Sequence, residues 1–250
     1  MKVYYLNREQ FTKGDTITSL KFALNLAEQD KDIKTITMLV LQHQQYEWFL
    51  GEVGFTSQHF KNHAARINGR GIQLHTVKTY HPEYQFLGHP QSEVLIAVGV
   101  PPKHLEQFED YSNIKYWVVV PWLLKECSEW LSIYEAEDFE TGKCVALPAP
   151  ADDKIANAID WLKATSFPNE GYHHPSDEER LHQMANAIKK YRVPFNYAST
   201  MRCALEHGLI PSAARNTAEA FFRAQTRAFA SKYDKPDYGF LKRMMDNKHE

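Results

Sequence analysis

Two apolar runs near the middle of the chain indicate the fold. Residues 94–98 (VLIAV) and 116–120 (YWVVV) are short, rich in β-branched residues and free of polar alternation. Such runs are typical of strands that are covered on both faces, as in a parallel sheet. Three further stretches, at residues 3–6, 35–42 and 73–79, predict additional strands of the same sheet.

Helical periodicity separates these strands. Residues 17–27 repeat apolar side chains at helical spacing behind a cap at Asp15 or Thr16. Further helices are predicted at residues 46–53, 57–67, 101 onward and 123–134. Residues 80–92 predict an irregular loop, and residues 135–147 can add an edge strand. The alternation predicts a Rossmann-like, open and mostly parallel α/β domain over residues 1–147, whose strand order the pattern does not fix.

The pattern changes after residues 146–153 (ALPAPADD), which predict a linker. No strand pattern follows, and helices are predicted at residues 155–164, 176–191, 196–206, 211–231 and 236–247. Ser176 with Glu179 has the form of a capping box at the start of one of them. We therefore expect an all-α C-terminal domain over residues 154–250.

Composition bears on the binding partners and the cellular location that we expect for the protein. The net charge of −2 over 250 residues gives no general reason to expect nucleic-acid or membrane binding. The 3 cysteines are far apart, no apolar run approaches the length of a membrane span, and the first residues contain no apolar leader. These features predict a soluble, cytoplasmic protein.

The carboxyl ends of the predicted strands form the candidate site, since open α/β sheets bind ligands there. The side chains expected at this edge are those of Arg8, Gln42, His43, Lys78, Gly99 and Trp122. Polar, basic and small groups beside an indole suit an anionic ligand with a flat ring, so we predict binding of a nucleotide or a similar phosphorylated small molecule. Strand ends are also polar wherever a chain meets water, and Pro101 and Pro102 remove two of the N–H donors that a helix start offers to phosphate. Gly99 and Trp122 are expected at adjacent strand ends, on one rim with His43 and Arg8.

Several enzyme classes are disfavoured by missing motifs. The chain has no G-x-G-x-x-G, no G-x-x-x-x-G-K-[ST] and no G-x-S-x-G. If the protein is an enzyme, hydrolase or transferase chemistry is therefore favoured over that of a dehydrogenase. His43 is then the candidate catalytic residue, because it follows a central strand. No cofactor is indicated.

The other histidines and the cysteines offer weaker alternatives. His59 and His63 share the spacing of metal ligands, but Phe60 replaces the glutamate of H-E-x-x-H and no third ligand is evident, so we assign no metal site. His173 and His174 fit either a general acid/base or a solvated loop. Cys127 and Cys203 occupy apolar helix positions typical of core thiols.

The helical C-terminal region supports two other hypotheses. It has a mild excess of basic residues, and Arg215, Arg223 and Arg227 follow a helix-turn-helix-like pattern. These arginines could bind nucleic acid, pair with acidic side chains of the sheet domain, contact a partner subunit, or close over the ligand edge. Alternatively, the protein is a non-enzymatic interaction protein that forms a homo-oligomer through the apolar stripe of residues 211–231.

Overall fold

The computed structural model describes residues 1–45, 51–67, 69–82, 92–231 and 235–247. The chain forms two compact units, Met1–Leu147 and Pro148–Glu250, which we call the sheet unit and the helical unit. The predicted fold class, an open and mostly parallel α/β sheet followed by an all-α region, is confirmed.

Seven strands of the described residues form one sheet in the order β3-β4-β2-β5-β6-β1-β7. The strands are β1 (Lys2–Tyr5), β2 (Ile33–Val40), β3 (Ala64–Ile67), β4 (Arg70–Thr76), β5 (Ser92–Val98), β6 (Ile114–Val120) and β7 (Glu137–Asp138). All neighbours pair in parallel except β3 and β4. The short strand β7 confirms the expected edge strand.

Four α-helices of the described residues belong to the sheet unit: α1 (Lys13–Gln29), α2 (Ser57–Lys61), α3 (Pro102–Leu105) and α4 (Leu124–Ile133). Short 3-10 segments lie at His43–Gln45, Gly51–Val53 and Glu106–Phe108. Helix α1 begins earlier than predicted, because Thr12 is its N-cap and the Asp15 carboxylate accepts a hydrogen bond from the Thr12 N–H at 2.6 Å. Asp15 thus closes a capping box instead of acting as the cap itself.

Side chains of the central strands belong to two apolar cores, one on each face of the sheet. On one face Leu20 of α1 and Phe60 of α2 pack with Ile36 and Val94. On the other face Leu105 of α3 and Trp130 of α4 belong to a core with Leu95, Trp117 and Val119. Alternate residues of one strand therefore enter different cores, which explains why β5 and β6 read as continuous apolar runs. Each fully buried aliphatic side chain contributes about 1.5–3 kcal/mol to folding.

The helix predicted at residues 57–67 is wrong in its second half. Helix α2 ends at Lys61, His63 adopts a left-handed φ of 51°, and β3 then pairs antiparallel with β4. The His63 Nδ1 lies 3.0 Å from the Leu74 carbonyl oxygen, which ties the end of the helix to β4. Of the helix predicted at 46–53, residues 46–50 lie outside the described residues, as do residues 83–91 of the predicted loop.

The helical unit contains α5 (Asp153–Thr165), α6 (Pro175–Lys190), α7 (Tyr197–Glu206), α8 (Pro211–Thr226) and α9 (Tyr238–Asp246). Helix α8 packs on α6 and α7, and α5 packs on α9. Helix α6 is capped by His174, whose Nδ1 accepts a hydrogen bond from the Ser176 N–H at 3.3 Å, so Ser176 is not the cap. None of the described helices is both long and apolar enough to cross a bilayer.

Helix α8 is also shorter than predicted. The chain leaves the helix at Arg227, and Asn186 of α6 then holds the Phe229 backbone through two hydrogen bonds of 2.9 Å, one to its N–H and one to its carbonyl oxygen. Ser231 donates to Glu179 at 2.6 Å. Residues 227–231 are therefore a non-helical segment that is bound to α6 through Phe229 and Ser231.

Candidate ligand-binding site

The strand order places a topological switch between β2 and β5. These two strands are neighbours, but the helix that follows β2 in the chain, α2, packs on one face of the sheet. The helix that follows β5, α3, packs on the other face. Connections that diverge in this way open a crevice at the carboxyl ends of the two strands, which is where open α/β sheets bind ligands.

A cavity of about 350 Å³ occupies this position. Its described lining comes from three strand ends: Leu41, Gln42, Gln44 and Gln45 after β2, Gly99 and Pro101 after β5, and Trp122 and Glu126 after β6. A volume of this size lies at the lower end of the range of small-molecule sites.

Trp122 is the largest exposed group of the cavity. Its side chain is 45% exposed, and its ring stacks on Phe11 with centroids 5.9 Å apart and an interplanar angle of 19°. The Phe11 N–H donates to the Trp122 carbonyl oxygen at 3.3 Å, and Gln10 forms a bridge with Leu123. The indole is thus supported by a second aromatic ring and by backbone hydrogen bonds.

Gly99 forms the turn between β5 and the cavity. Its φ of 61° lies in the left-handed region, where a residue with a Cβ is disfavoured. Its N–H donates to the Val120 carbonyl oxygen at 2.9 Å, and is therefore committed to the β6 strand end. Helix α3 has only 4 residues and begins with Pro102 after Pro101, so the expected set of free N–H donors for phosphate is not formed there.

Three glutamines supply the polar part of the lining. The Gln45 side-chain oxygen accepts a hydrogen bond from the Gln42 N–H at 3.1 Å, and the Gln45 N–H donates to the Gln42 carbonyl oxygen at 3.1 Å. This pair of bonds closes the 3-10 turn that follows β2. Gln42 and Gln44 are exposed, and a primary amide can both donate and accept hydrogen bonds.

Positive charge is scarce at the cavity. Glu126 is the only charged residue among its described lining residues. Arg8 belongs elsewhere, since its guanidinium pairs with Glu140 at 2.7 Å and lies 3.7 Å from Asp15. Lys78 is exposed in the turn after β4.

The cavity therefore brings together Gln42, Gly99 and Trp122 of the predicted set, and Gly99 and Trp122 do follow neighbouring strands. His43 is exposed directly after Gln42 but is not among the described lining residues. Sequence reasoning missed Gln44, Gln45 and Glu126. Glu126 could have been found, because it lies in the first turn of the helix that was predicted directly after Trp122.

The start of β5 holds a buried carboxyl that sequence reasoning also missed. Glu93 is fully buried, accepts a hydrogen bond from the Tyr80 hydroxyl at 2.9 Å and lies 3.4 Å from the Asn113 side-chain nitrogen. Burial is the main cause that raises its pKa to about 7, partly offset by the nearby hydroxyls of Thr37 and Tyr80. Thr37 lies close to the carboxyl without a well-formed hydrogen bond. This group lies at the amino end of β5, whereas the cavity lies at its carboxyl end.

The structure separates the two histidines that share metal-ligand spacing. The His59 Nδ1 accepts a hydrogen bond from the Thr56 N–H at 3.0 Å, whereas His63 lies beyond the helix and stacks on His75 with centroids 4.7 Å apart. No group of three or more potential metal ligands occurs among the described residues. Cys127 and Cys203 are buried as expected, and burial raises the pKa of both thiols to about 11.

The three arginines of the nucleic-acid hypothesis do not form one helical face. Arg227 lies past the end of α8 with an extended backbone. Arg223 lines a cavity of the helical unit together with Glu178 and Glu219, and Arg215 is half-buried near the start of α8. The carboxylates beside Arg223 reduce the local positive charge that a phosphate backbone requires.

Comparison with protein-family models, with curated proteins and with solved structures found no match to this chain. Its function is therefore inferred from its own residues.

Proposed function

We propose that the sheet unit binds a nucleotide or a related small molecule through its heteroaromatic ring, in the crevice between β2 and β5. The observation that carries this proposal is the exposed, Phe11-supported Trp122 at the switch point of the sheet, in one cavity with three glutamines. The role proposed is ligand binding by a cytoplasmic protein. The three unpaired cysteines support a reducing compartment.

The ring of the ligand would stack on Trp122. Stacking of a base on an aromatic side chain is worth about 1–3 kcal/mol and depends little on which base is bound. Because Phe11 already supports the indole, little side-chain entropy has to be lost on binding.

The edge of the ring would be recognised by the glutamine amides. A nucleobase presents hydrogen-bond donors and acceptors side by side, and a glutamine amide presents the complementary pair. Gln42 and Gln44 are exposed and follow β2, so they approach the cavity from the side opposite Trp122 in the strand order.

The phosphates contribute little in this arrangement. No lysine or arginine lies among the described lining residues, and Glu126 adds a negative charge. A nucleoside should therefore bind nearly as tightly as the corresponding nucleotide, which departs from a site built around phosphate.

Binding is favoured over catalysis because Glu126 is the only titratable group in the described lining. Hydrolase or transferase activity would need Glu126 or the adjacent His43 as a proton acceptor. Such an activity would be established by turnover of a nucleotide in the wild type that is lost in Glu126→Gln while the ligand affinity stays unchanged.

A thermal-shift panel tests the proposal on the whole protein. The four common nucleosides and their mono- and triphosphates would each be added at 1–5 mM. We expect at least one nucleoside to raise the melting temperature, with its nucleotides giving a similar shift, because a ligand that binds only the folded state stabilises it.

The matched variants are Trp122→Ala and, as a control, Phe222→Ala, which removes an aromatic side chain that is 56% exposed in the helical unit. The shift should be smaller in the first variant and unchanged in the second. The proposal fails if no nucleoside or nucleotide stabilises the protein at 5 mM, or if Trp122→Ala responds like the wild type.

A further inference from the structure

The helical unit contains a second cavity, of about 390 Å³, that is lined mainly by polar side chains. One stripe of α8 faces it, formed by Asn216, Glu219, Ala220 and Arg223 at helical spacing. Helix α6 contributes Glu178 and His182, and the loop before α6 contributes His173. Charged and titratable groups from two helices and a loop thus meet at this cavity.

The loop that presents His173 has an unusual backbone. Gly171 and Tyr172 have consecutive left-handed φ angles of 84° and 54°. A Cβ on Gly171 would lie 2.8 Å from the His173 Nε2, so a side chain at this position would displace the imidazole. Left-handed conformations of non-glycine residues such as Tyr172 cluster at functional sites.

Tyr172 is held in this conformation by burial. Its side chain is 5% exposed, and its hydroxyl lies 2.9 Å from the Thr217 hydroxyl of α8. The same contact fixes the loop against the helix that supplies Glu219 and Arg223. The residue that precedes His173 is therefore anchored to α8.

The guanidinium of Arg223 is also oriented by its surroundings. It lies 5.6 Å from the centre of the Phe229 ring, and that ring stacks on His182 at 3.8 Å with an interplanar angle of 7°. The two Asn186 hydrogen bonds hold the Phe229 backbone in place. The Phe229 ring is in contact with His182 and Arg223, and the Tyr172 ring is buried. Neither aromatic ring is therefore as exposed for stacking on a ligand as that of Trp122.

We propose that this cavity binds a small zwitterion that carries a carboxylate and an ammonium group, such as a free α-amino acid. Glu219 and Arg223 lie one helical turn apart on α8, which places opposite charges about 5–6 Å from each other at the Cβ atoms. Arginine binds carboxylates in a bidentate manner, and Glu219 would accept hydrogen bonds from the ammonium group. Asn216, on the same stripe, can bind either end.

The presence of both positive and negative side chains at the cavity favours a zwitterion over a ligand with charge of one sign. A phosphate or other plain anion would meet Glu178 and Glu219 as well as Arg223, and a plain amine would meet Arg223. A zwitterion places each of its charges beside the complementary group. This inference does not rest on the function proposed for the sheet unit, because all of its residues belong to the helical unit.

Isothermal titration with the whole 250-residue chain tests the proposal. The probes are the common L-amino acids, their N-acetyl derivatives, which lack the ammonium group, their methyl esters, which lack the carboxylate, and inorganic phosphate. We expect at least one free amino acid to bind, and both derivatives of it to bind at least ten-fold more weakly. The proposal is overturned if no amino acid binds at 10 mM, or if an N-acetyl derivative, a methyl ester or phosphate binds as tightly.

Variants locate the binding on these residues. Arg223→Gln and Glu219→Gln should each weaken binding at least ten-fold, and Ala220→Leu should block the cavity while leaving its charges intact. Arg227→Gln and the exposed Glu129→Gln of α4 make the same charge changes outside the cavity and should leave affinity unchanged. Unchanged affinity in Arg223→Gln or Glu219→Gln, or equal losses in the control variants, would also overturn the proposal.

Discussion

The buried Glu93 predicts a distinctive dependence of stability on pH. Its ordinary pKa of 4.5 is raised to about 7, chiefly because burial penalises the carboxylate. Between these two pKa values the folded state binds more protons than the unfolded state. The free energy of unfolding therefore falls as the pH rises from about 4.5 to about 7, and the loss is complete above pH 7.

The size of this effect follows from the same shift. A change from 4.5 to about 7 corresponds to about 3 kcal/mol, because each pKa unit is worth about 1.4 kcal/mol. Glu93→Gln retains an oxygen that can accept the Tyr80 hydrogen bond but cannot ionise. The variant should thus gain about 2.5 kcal/mol relative to the wild type between pH 5 and pH 8, whatever constant difference the substitution introduces, because part of the loss already occurs below pH 5.

Urea unfolding of both proteins at several pH values, followed by tryptophan fluorescence, measures this difference. Trp117 and Trp130 lie in the core on the Glu93 face and report on it directly. The exposed Glu129→Gln serves as the control and should differ from the wild type by the same amount at every pH. A difference between Glu93→Gln and the wild type that stays constant from pH 5 to pH 8 would refute the assigned pKa.

Three further predictions concern other positions. Gly99→Ala, at a φ of 61°, should lower the free energy of unfolding by about 1 kcal/mol in urea titrations, and an unchanged midpoint would show that the turn is relaxed. The pKa of His75 is lowered to about 4 by burial and by His63, so the folded state binds fewer protons and stability falls as the pH drops from 6.5 towards 4. An NMR titration midpoint of His75 near 6.5 would contradict this. Asn186→Ala removes both hydrogen bonds to the Phe229 backbone and should increase hydrogen exchange of the Phe229 amide at least ten-fold. Replacement of the exposed Asn216 by alanine should leave this exchange unchanged. Equal exchange in the two variants would argue against a stabilising role of the two Asn186 hydrogen bonds.

The sequence predicts those parts of the fold that have a strong local pattern. The runs at 94–98 and 116–120 became β5 and β6, since burial on both faces leaves an uninterrupted apolar signature. Strand β3 was missed because its four residues continue the apparent periodicity of α2. The break comes from His63 in a left-handed conformation, which histidine adopts without any glycine or proline to mark it.

The site was only partly predictable because strand order decides which strand ends meet. Gln42 and Gly99 come together since β2 and β5 are neighbours. Arg8 follows β1, which is two places from β5, and Lys78 follows β4 on the far side of β2. The order of strands in the sheet depends on contacts between distant parts of the chain, and the local periodicity of the sequence does not indicate these contacts.

The binding proposed for the sheet unit depends on stacking against Trp122. This dependence can be measured by calorimetric titration of the most stabilising nucleoside into the wild type, Trp122→Phe and Trp122→Ala. Loss of 1–3 kcal/mol of stacking predicts an affinity about 5- to 150-fold weaker in Trp122→Ala, with Trp122→Phe close to the wild type. Equal affinity in all three folded proteins would contradict the claim.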